Sequence, residues 1–228
     1  MKTRLNEMAI QRKFVDIDKL GLSKDEEKKL LTKIMRTETK WWEFDFIKVY
    51  VTLNLILTNN PEFVEEINLA EDYAVFYCCK SEAQHRKLLK MFLSKGIDVN
   101  KKARNGDTIL HIMARLGYKE EIDLLIKYGA NVNALNEYNN TPVFCLIIDP
   151  YLLNIDPECV YDCLVLFIDN GANVDSVLFT FLSNNIPDMF KNKYYKMIFD
   201  ILEVYDNKFD LSRCSSSIKD KYNKLKSI

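Results

Sequence analysis

An all-α fold built from stacked pairs of short helices is predicted for this chain, and two observations support the prediction. A glycine-containing stretch recurs three times, as KGIDVN at 95–100, YGANVN at 128–133 and NGANVD at 170–175, each time after an apolar segment with helical periodicity. The first two glycines lie 33 residues apart and the next two 42 residues apart. A spacing of this length is typical of repeat proteins in which each unit stacks on the next.

The composition is that of a folded globular chain. Of the 228 residues, 48% are hydrophobic and 29% are charged, and the formal net charge is −1, which excludes the disordered class. No apolar run approaches the 18 or so residues of a membrane-spanning helix. The first residues lack the apolar core of a signal peptide, so the six cysteines are expected to be reduced thiols in a protein that stays inside the cell.

The first 69 residues do not contain the recurring glycine motif and are predicted to form a helical N-terminal cap. Ser23 and Glu26 have the spacing of a capping box. The apolar segment at 44–60 could be a strand, but its length favours a buried helix, and NPEFVEEINLA is expected to form a further short helix after its proline. An eroded repeat within 1–69 is the alternative, and the Trp41-Trp42 pair fits either a core or an interface.

Residues 105–118, NGDTILHIMARLGY, have the order of a turn, a cap and a short helix. Asn-Gly favours a tight turn, and Thr108 follows it at the position of a helix cap. Leu110, Met113 and Ala114 are expected on the packed side of the helix, and His111 is expected to bond the backbone of its own or the neighbouring turn. A glycine should then end this helix before a second one begins.

This pattern resembles the ankyrin repeat closely. The family pattern G-x-T-P-L-H-x-A-A-x-x-G-H, followed by a second helix and G-A-D-V-N-A, is matched at eleven positions. These are Gly106, Thr108, Leu110, His111, Ala114, Gly117, Gly129, Ala130, Val132, Asn133 and Ala134. The unit that follows keeps Thr141-Pro142 and the motif at 171–175. Asn139 stands in place of its turn glycine, and asparagine can also adopt a positive φ.

The resemblance implies an ankyrin-repeat solenoid with short hairpin turns between its units. The predicted repeats are 70–102, 103–135, 136–175 with an inserted loop at 149–157, and a degenerate unit at 176–211, and residues 212–228 are a C-terminal tail. Proteins of this family bind other proteins through their turns and first helices. The positions that match the family's contact positions are Arg104, Asn105, Asp107, Arg115, Leu116, Tyr128, Glu137, Tyr138, Asn140, Ile148 and Asp149.

Catalytic and metal-binding signatures are not found in the sequence. The two histidines, His85 and His111, do not form a catalytic or zinc-binding arrangement with the cysteines, and no phosphate-binding loop of the G-x-x-x-x-G-K type occurs. Cys163 is expected to be a buried thiol on an inward helix position. We therefore predict a monomeric protein that is not an enzyme, needs no cofactor or metal, and binds neither nucleic acid nor membranes.

Helices rich in Tyr, Phe, Ile, Asn and Lys, together with degenerate repeats, resemble the ankyrin proteins of poxviruses. That resemblance implies a host-range or immune-evasion protein that binds a host signalling protein in the cytoplasm of the infected cell. Three alternatives remain at this stage: an adaptor for a host ubiquitin ligase, an ankyrin effector of an intracellular bacterium, or a self-assembling subunit that uses the apolar stretch 44–57. The tail lacks the Leu-Pro start expected of a ligase-recruiting segment, which weakens the first alternative.

Overall fold

The computed structural model describes residues 21–35, 46–69, 82–148 and 155–174, together with Ser216 and Lys219. Within these residues the chain forms eight α-helices and no β-strand, which confirms the predicted all-α class. The chain divides into two compact units, residues 1–104 and residues 105–228. The helices of the first unit are α1 (Lys24–Met35), α2 (Phe46–Asn59), α3 (Phe63–Leu69) and α4 (Glu82–Ser94), and those of the second are α5 (Ile109–Leu116), α6 (Lys119–Lys127), α7 (Pro142–Ile148) and α8 (Pro157–Asp169).

In the first unit, the apolar segment forms the helix α2, as its length favours, and not a strand. Leu53 and Ile56 of this helix have no solvent exposure, and the helix packs against α1 on one side and α4 on the other. One half of the predicted capping box is present at the start of α1, where the Glu26 carboxylate accepts a hydrogen bond from the backbone N–H of Ser23 at 2.9 Å. The Ser23 hydroxyl donates to the same carboxylate at 3.0 Å. The Trp41-Trp42 pair lies outside the described residues.

In the second unit, two helical pairs stack on one another. Helix α5 packs against α7 and helix α6 packs against α8, while each pair is closed by contacts between its own members. The buried side chains at the centre of this stack come from all four helices, and they include the predicted Leu110, Met113 and Ala114 as well as Ile122, Leu125, Val143, Leu146, Val160, Cys163, Leu164 and Phe167.

Glycines follow the helix ends, as the recurring motif predicts. At Gly117 the chain turns left-handed with φ of 65°, and the N–H groups of Gly117 and Tyr118 donate to Ala114 and Met113. The same turn follows α4, α6 and α8, where the glycines of the three repeated motifs have φ between 82° and 89°. Because an L side chain strains this conformation, a glycine at a fixed period becomes a visible mark of each helix end.

Each of the two helices of the third repeat, α7 and α8, begins with a proline. Thr141 precedes α7, and its hydroxyl accepts from the N–H of Phe144 at 3.3 Å. Asp156 caps α8 by accepting from the N–H of Glu158 at 3.0 Å, and Pro157 is the first helical residue. The predicted loop at 149–157 therefore ends one residue early, because proline is favoured in the first turn of a helix. Residues 149–154 of that loop, the degenerate unit at 176–211 and the first half of the unit at 70–102 lie outside the described residues or largely so.

Candidate protein-interaction site

His111 links the first turn of the second unit to the turn that follows it. Its Nδ1 accepts from the Thr108 N–H at 3.1 Å and lies 2.9 Å from the Thr108 hydroxyl oxygen, while its Nε2 lies 3.0 Å from the backbone oxygen of Asn140. Since a carbonyl oxygen can only accept, Nε2 carries the proton and Nδ1 is the acceptor. The neutral ring therefore bonds its own turn and the next one, as the sequence predicts.

Asp107 holds the two consecutive turns together. Its carboxylate accepts from the Arg115 guanidinium at 2.6 Å, from the Asn105 amide at 2.7 Å and from the Asn136 amide at 2.8 Å. The side chain of Asp107 is only 2% exposed, whereas that of Arg115 is 27% exposed. A buried carboxylate with three donors stabilises the turns through charge-assisted hydrogen bonds, which are stronger than neutral ones.

Two opposing effects act on the pKa of Asp107, and the net result is a lowered pKa. Burial is the largest single effect and would raise the pKa, because it disfavours the charged form. The hydrogen bonds from Arg115, Asn136 and Asn105, together with the positive charge of Arg115, outweigh burial and lower it. The charged form of Asp107 is therefore the one that the folded state prefers.

We expect Asp107→Asn to be less stable than the wild type by about 2 kcal/mol at pH 7, because it removes a charge-assisted hydrogen bond to Arg115. A lowered folded-state pKa contributes stability above the unfolded pKa of about 4, and this contribution is lost as the pH falls through the folded pKa. The difference in the free energy of unfolding between the wild type and Asp107→Asn should thus be constant above pH ~5 and become smaller below pH ~4. Urea unfolding at a series of pH values measures it, and a difference that stays constant down to pH ~3 would contradict the assigned ion pair.

The second turn of the unit, residues 136–140, is closed by the side chain of Asn136. Its Oδ1 accepts from the N–H groups of Tyr138 and Asn140, each at 3.0 Å, and its backbone N–H donates to the Asn140 oxygen at 3.1 Å. Asn139 has φ of 58°, which confirms the prediction that it replaces the turn glycine. Asn136 is 5% exposed and is itself bonded to Asp107, so the position of this turn depends on the first one.

The two turns are also in direct backbone contact at Gly106. The N–H of Glu137 donates to the backbone oxygen of Asn105 at 3.1 Å. A Cβ atom added to Gly106 would lie 2.6 Å from the backbone nitrogen of Glu137, which is closer than real Cβ contacts. Glycine is required here both for this approach and for a φ of 75°.

These contacts present Tyr138 to solvent on a rigid base. Tyr138 is 70% exposed at the tip of the second turn, and the neighbouring Leu135 is 47% exposed. Asn105 and Glu137 are exposed beside them on the two bonded turns. We call the exposed side chains of Asn105, Leu135, Glu137 and Tyr138 the turn surface.

The predicted contact residues fall into several groups in the structure. Asn105, Tyr128, Glu137 and Tyr138 are exposed, and Arg115, Leu116 and Asn140 are half-buried. Arg104 is exposed and belongs to the first unit. Ile148 is the last residue of α7, and Asp149 lies outside the described residues.

Asp107 differs from its predicted role as a contact residue. The family position suggested an exposed side chain, but Asp107 is buried because Arg115, Asn105 and Asn136 surround its carboxylate. It acts on the turn surface by positioning it. Sequence reasoning missed Asn136 and Leu135: the Asn at the start of a turn is a signal for the first, whereas no sequence signal separates the exposed Leu135 from the buried leucines nearby.

The described residues contain no alternative chemical centre. No group of three His, Cys, Asp or Glu side chains that could hold a metal occurs among them, and none of their helices is long and apolar enough to cross a bilayer. Cys163 is buried, as predicted, and its thiol lies 3.7 Å from the Gly117 oxygen. Burial, assisted by nearby Cys159, raises the pKa of this thiol to about 12, so it is not poised as a nucleophile.

Comparison with known proteins identifies the class. Residues 73–178 match the family model for ankyrin repeats, in three copies. Residues 73–178 therefore contain ankyrin repeats, which confirms the resemblance drawn from the eleven motif positions.

The similar proteins include several from poxviruses. The ankyrin repeat protein FPV234 of fowlpox virus is 30% identical over 164 residues, which are 62% of this chain and 38% of that protein. The ankyrin repeat protein OPG189 of variola virus is 27% identical over 168 residues, covering 69% of this chain and 28% of the relative. The ankyrin repeat protein OPG189 of monkeypox virus is 30% identical over 139 residues, which are 56% of this chain and 23% of that protein. The chain thus spans less than two fifths of the length of these relatives.

Proposed function

We propose that this protein binds a host-cell protein through the turn surface of its second unit, with Tyr138 as the central contact. Ankyrin repeats are in general non-enzymatic protein-interaction modules, and the repeats at 73–178 include this surface. The observation that supports the location is the 70% exposure of Tyr138 on a turn closed by Asn136. Tyrosine is enriched among the residues that contribute most to binding at protein interfaces.

The rigidity of the turn favours binding at this place. Asn136 fixes the backbone of the turn from inside, and Asp107 and His111 fix it from the preceding turn. An aromatic side chain on a backbone that is already ordered loses little further conformational entropy when a partner covers it. Leu135 adds exposed apolar area next to Tyr138, whereas Asn105 and Glu137 provide polar groups at the edge.

The similarity to poxvirus ankyrin proteins supports a partner from the infected cell. A host-range or immune-evasion protein acting on a signalling protein in the host cytoplasm fits this similarity. The matches described above give no support to a bacterial source. The ligase-adaptor alternative concerns the last 45 residues, of which only Ser216 and Lys219 are described, and it stays a prediction.

Capture experiments with two matched tyrosine variants test this proposal. The full chain is immobilised and exposed to lysates of avian and mammalian cells, and Tyr138→Ala is compared with Tyr161→Ala. Tyr161 is 38% exposed on α8 and lies outside the turn surface, so its truncation controls for the loss of an exposed aromatic ring. We expect the affinity for a captured protein to fall about 30-fold in Tyr138→Ala, as for an interface residue worth about 2 kcal/mol, and to stay unchanged in Tyr161→Ala.

The reverse pattern would contradict the proposed location. A partner that is lost from Tyr161→Ala and kept by Tyr138→Ala would place binding on α8. Both variants should keep the circular dichroism spectrum of the wild type, because neither side chain is buried.

A further inference from the structure

Asn133 joins the ends of two consecutive repeats in the second unit. Its side-chain N–H donates to the backbone oxygen of Gly171 at 3.0 Å, and its Oδ1 accepts from the N–H of Asn173 at 2.7 Å. The residue before it, Val132, is buried and anchors this position in the core. An amide side chain suits this place because it can donate and accept at the same time.

Asn68 makes the same pair of hydrogen bonds in the first unit. Its side-chain N–H donates to the oxygen of Gly96 at 3.4 Å, and its Oδ1 accepts from the N–H of Asp98 at 2.9 Å. Asp98 lies two residues after Gly96 in its glycine motif, as Asn173 lies two residues after Gly171. Ile67, like Val132, is a buried β-branched residue directly before the asparagine.

The helices of the first unit follow the order of a repeat as well. Helix α1 packs against α2 as α5 packs against α6, and α2 packs against α4 as α6 packs against α8. Both α4 and α8 are followed, two residues after their last residue, by a glycine of the repeated motif. Helix α2 therefore has the contacts of the second helix of a repeat that precedes the one ending at Gly96.

The end of α2 differs from the other repeats in a way that hides the match. Asn60 lies four residues after the buried Ile56, where Gly129 lies four residues after the buried Leu125. The Asn60 amide donates to the Ile56 oxygen at 3.0 Å and to the Glu27 carboxylate at 2.6 Å, so a side chain satisfies the helix end in place of a left-handed turn. Helix α3 then follows, and Ile67 and Asn68 lie in its last turn, whereas Val132 and Asn133 lie in a turn shortly after Gly129.

We propose that helices α1 and α2, with the segment that ends at Asn68, form a diverged ankyrin repeat, and that Asn68 is the positioning residue that joins it to the repeat ending at Gly96. This unit lies outside the span that matches the family model, which begins at residue 73. The sequence lacks the glycine and the Thr-Pro pair there, and Asn68 lies in the last turn of helix α3 instead of in a turn that follows a glycine. A helical cap without repeat character has no need of an amide at position 68, so the two interpretations differ in what that side chain does.

Amide hydrogen exchange of the full chain, resolved by NMR, tests the proposal with three alanine variants. In Asn68→Ala we expect the exchange of the Asp98 amide to accelerate about fivefold, which corresponds to about 1 kcal/mol, the usual net contribution of one hydrogen bond. Protection of α2 and α4 should fall together, because neighbouring repeats stabilise one another. Asn133→Ala should accelerate the Asn173 amide to a similar degree and leave Asp98 unchanged.

Asn59→Ala is the matched control, because Asn59 is an exposed residue at the end of α2, and it should change neither amide. Asn68→Asp keeps the oxygen acceptor and should retain the protection of Asp98, which provides the test if Asn68→Ala does not fold. Unchanged Asp98 exchange in Asn68→Ala, or loss of Asp98 protection in Asn68→Asp equal to that in Asn68→Ala, would overturn the proposal.

Discussion

Gly106→Ala is expected to destabilise the second unit by roughly 3–5 kcal/mol, the largest effect of any single methyl group added to the described turns. The new Cβ would meet the backbone of Asn136 and Glu137, with distances of 2.6 Å to the Glu137 nitrogen and 3.0 Å to the Asn136 carbonyl carbon. Backbone cannot move aside as a flexible side chain can, so the two turns must separate. The positive φ of Gly106 adds its own strain.

Gly129→Ala provides the matched control for this prediction. Its φ of 86° is also left-handed, but a Cβ there would meet nothing within 4 Å. The control should therefore cost only the conformational strain of about 1–2 kcal/mol. Urea unfolding followed by far-UV circular dichroism compares the two variants. Equal losses of unfolding free energy would mean that the close approach of the two turns at Gly106 does not add to the cost of the substitution.

His111→Leu is expected to cost about 2–4 kcal/mol although leucine fits the apolar surroundings. The substitution leaves the N–H and the hydroxyl of Thr108 without their acceptor, at a position with no solvent exposure, and removes one of the two donors to the Asn140 oxygen. Each buried polar group left without a partner costs about 1–3 kcal/mol. Urea unfolding measures this loss of stability, and hydrogen exchange of the backbone amides in the turn at 136–140 should become faster.

His111→Gln separates the two hydrogen bonds of this histidine. The Gln carbonyl can accept from the Thr108 N–H, as in an ordinary capping box, whereas the bond to the next turn depends on the length of the ring. We expect an intermediate stability for this variant. A His111→Leu protein as stable as the wild type would show that the link between the turns is not a stabilising interaction.

The sequence predicted those parts of the fold that depend on backbone conformation at a single position. Gly117 and the motif glycines mark left-handed helix ends, and Asn139 was expected at positive φ because asparagine is one of the few other residues that tolerates it. The hydrogen bonds of His111 followed from its place in the motif. In each case the physical constraint is local, so it is visible in a short window of residues.

The parts that the sequence did not predict depend on pairs of residues far apart in the chain. Asp107 bonds Asn136, 29 residues later, and this contact changes Asp107 from an expected contact residue into a buried positioning residue. Asn68 lies in the inserted helix α3, which breaks the repeat spacing, and it bonds Gly96 and Asp98, 28 and 30 residues later. Neither contact has a sequence signal, because the chemistry of an Asn or Asp side chain fits a solvated turn equally well.

Hydrogen exchange of the full chain with and without a captured partner tests the central claim most directly. The account predicts that binding slows exchange of the amides in the second turn, at Glu137, Tyr138 and Asn139, and leaves the exposed outer side of α8 unchanged. Slower exchange confined to α8, around Tyr161, with the second turn unaffected would contradict the assignment of the turn surface as the binding site.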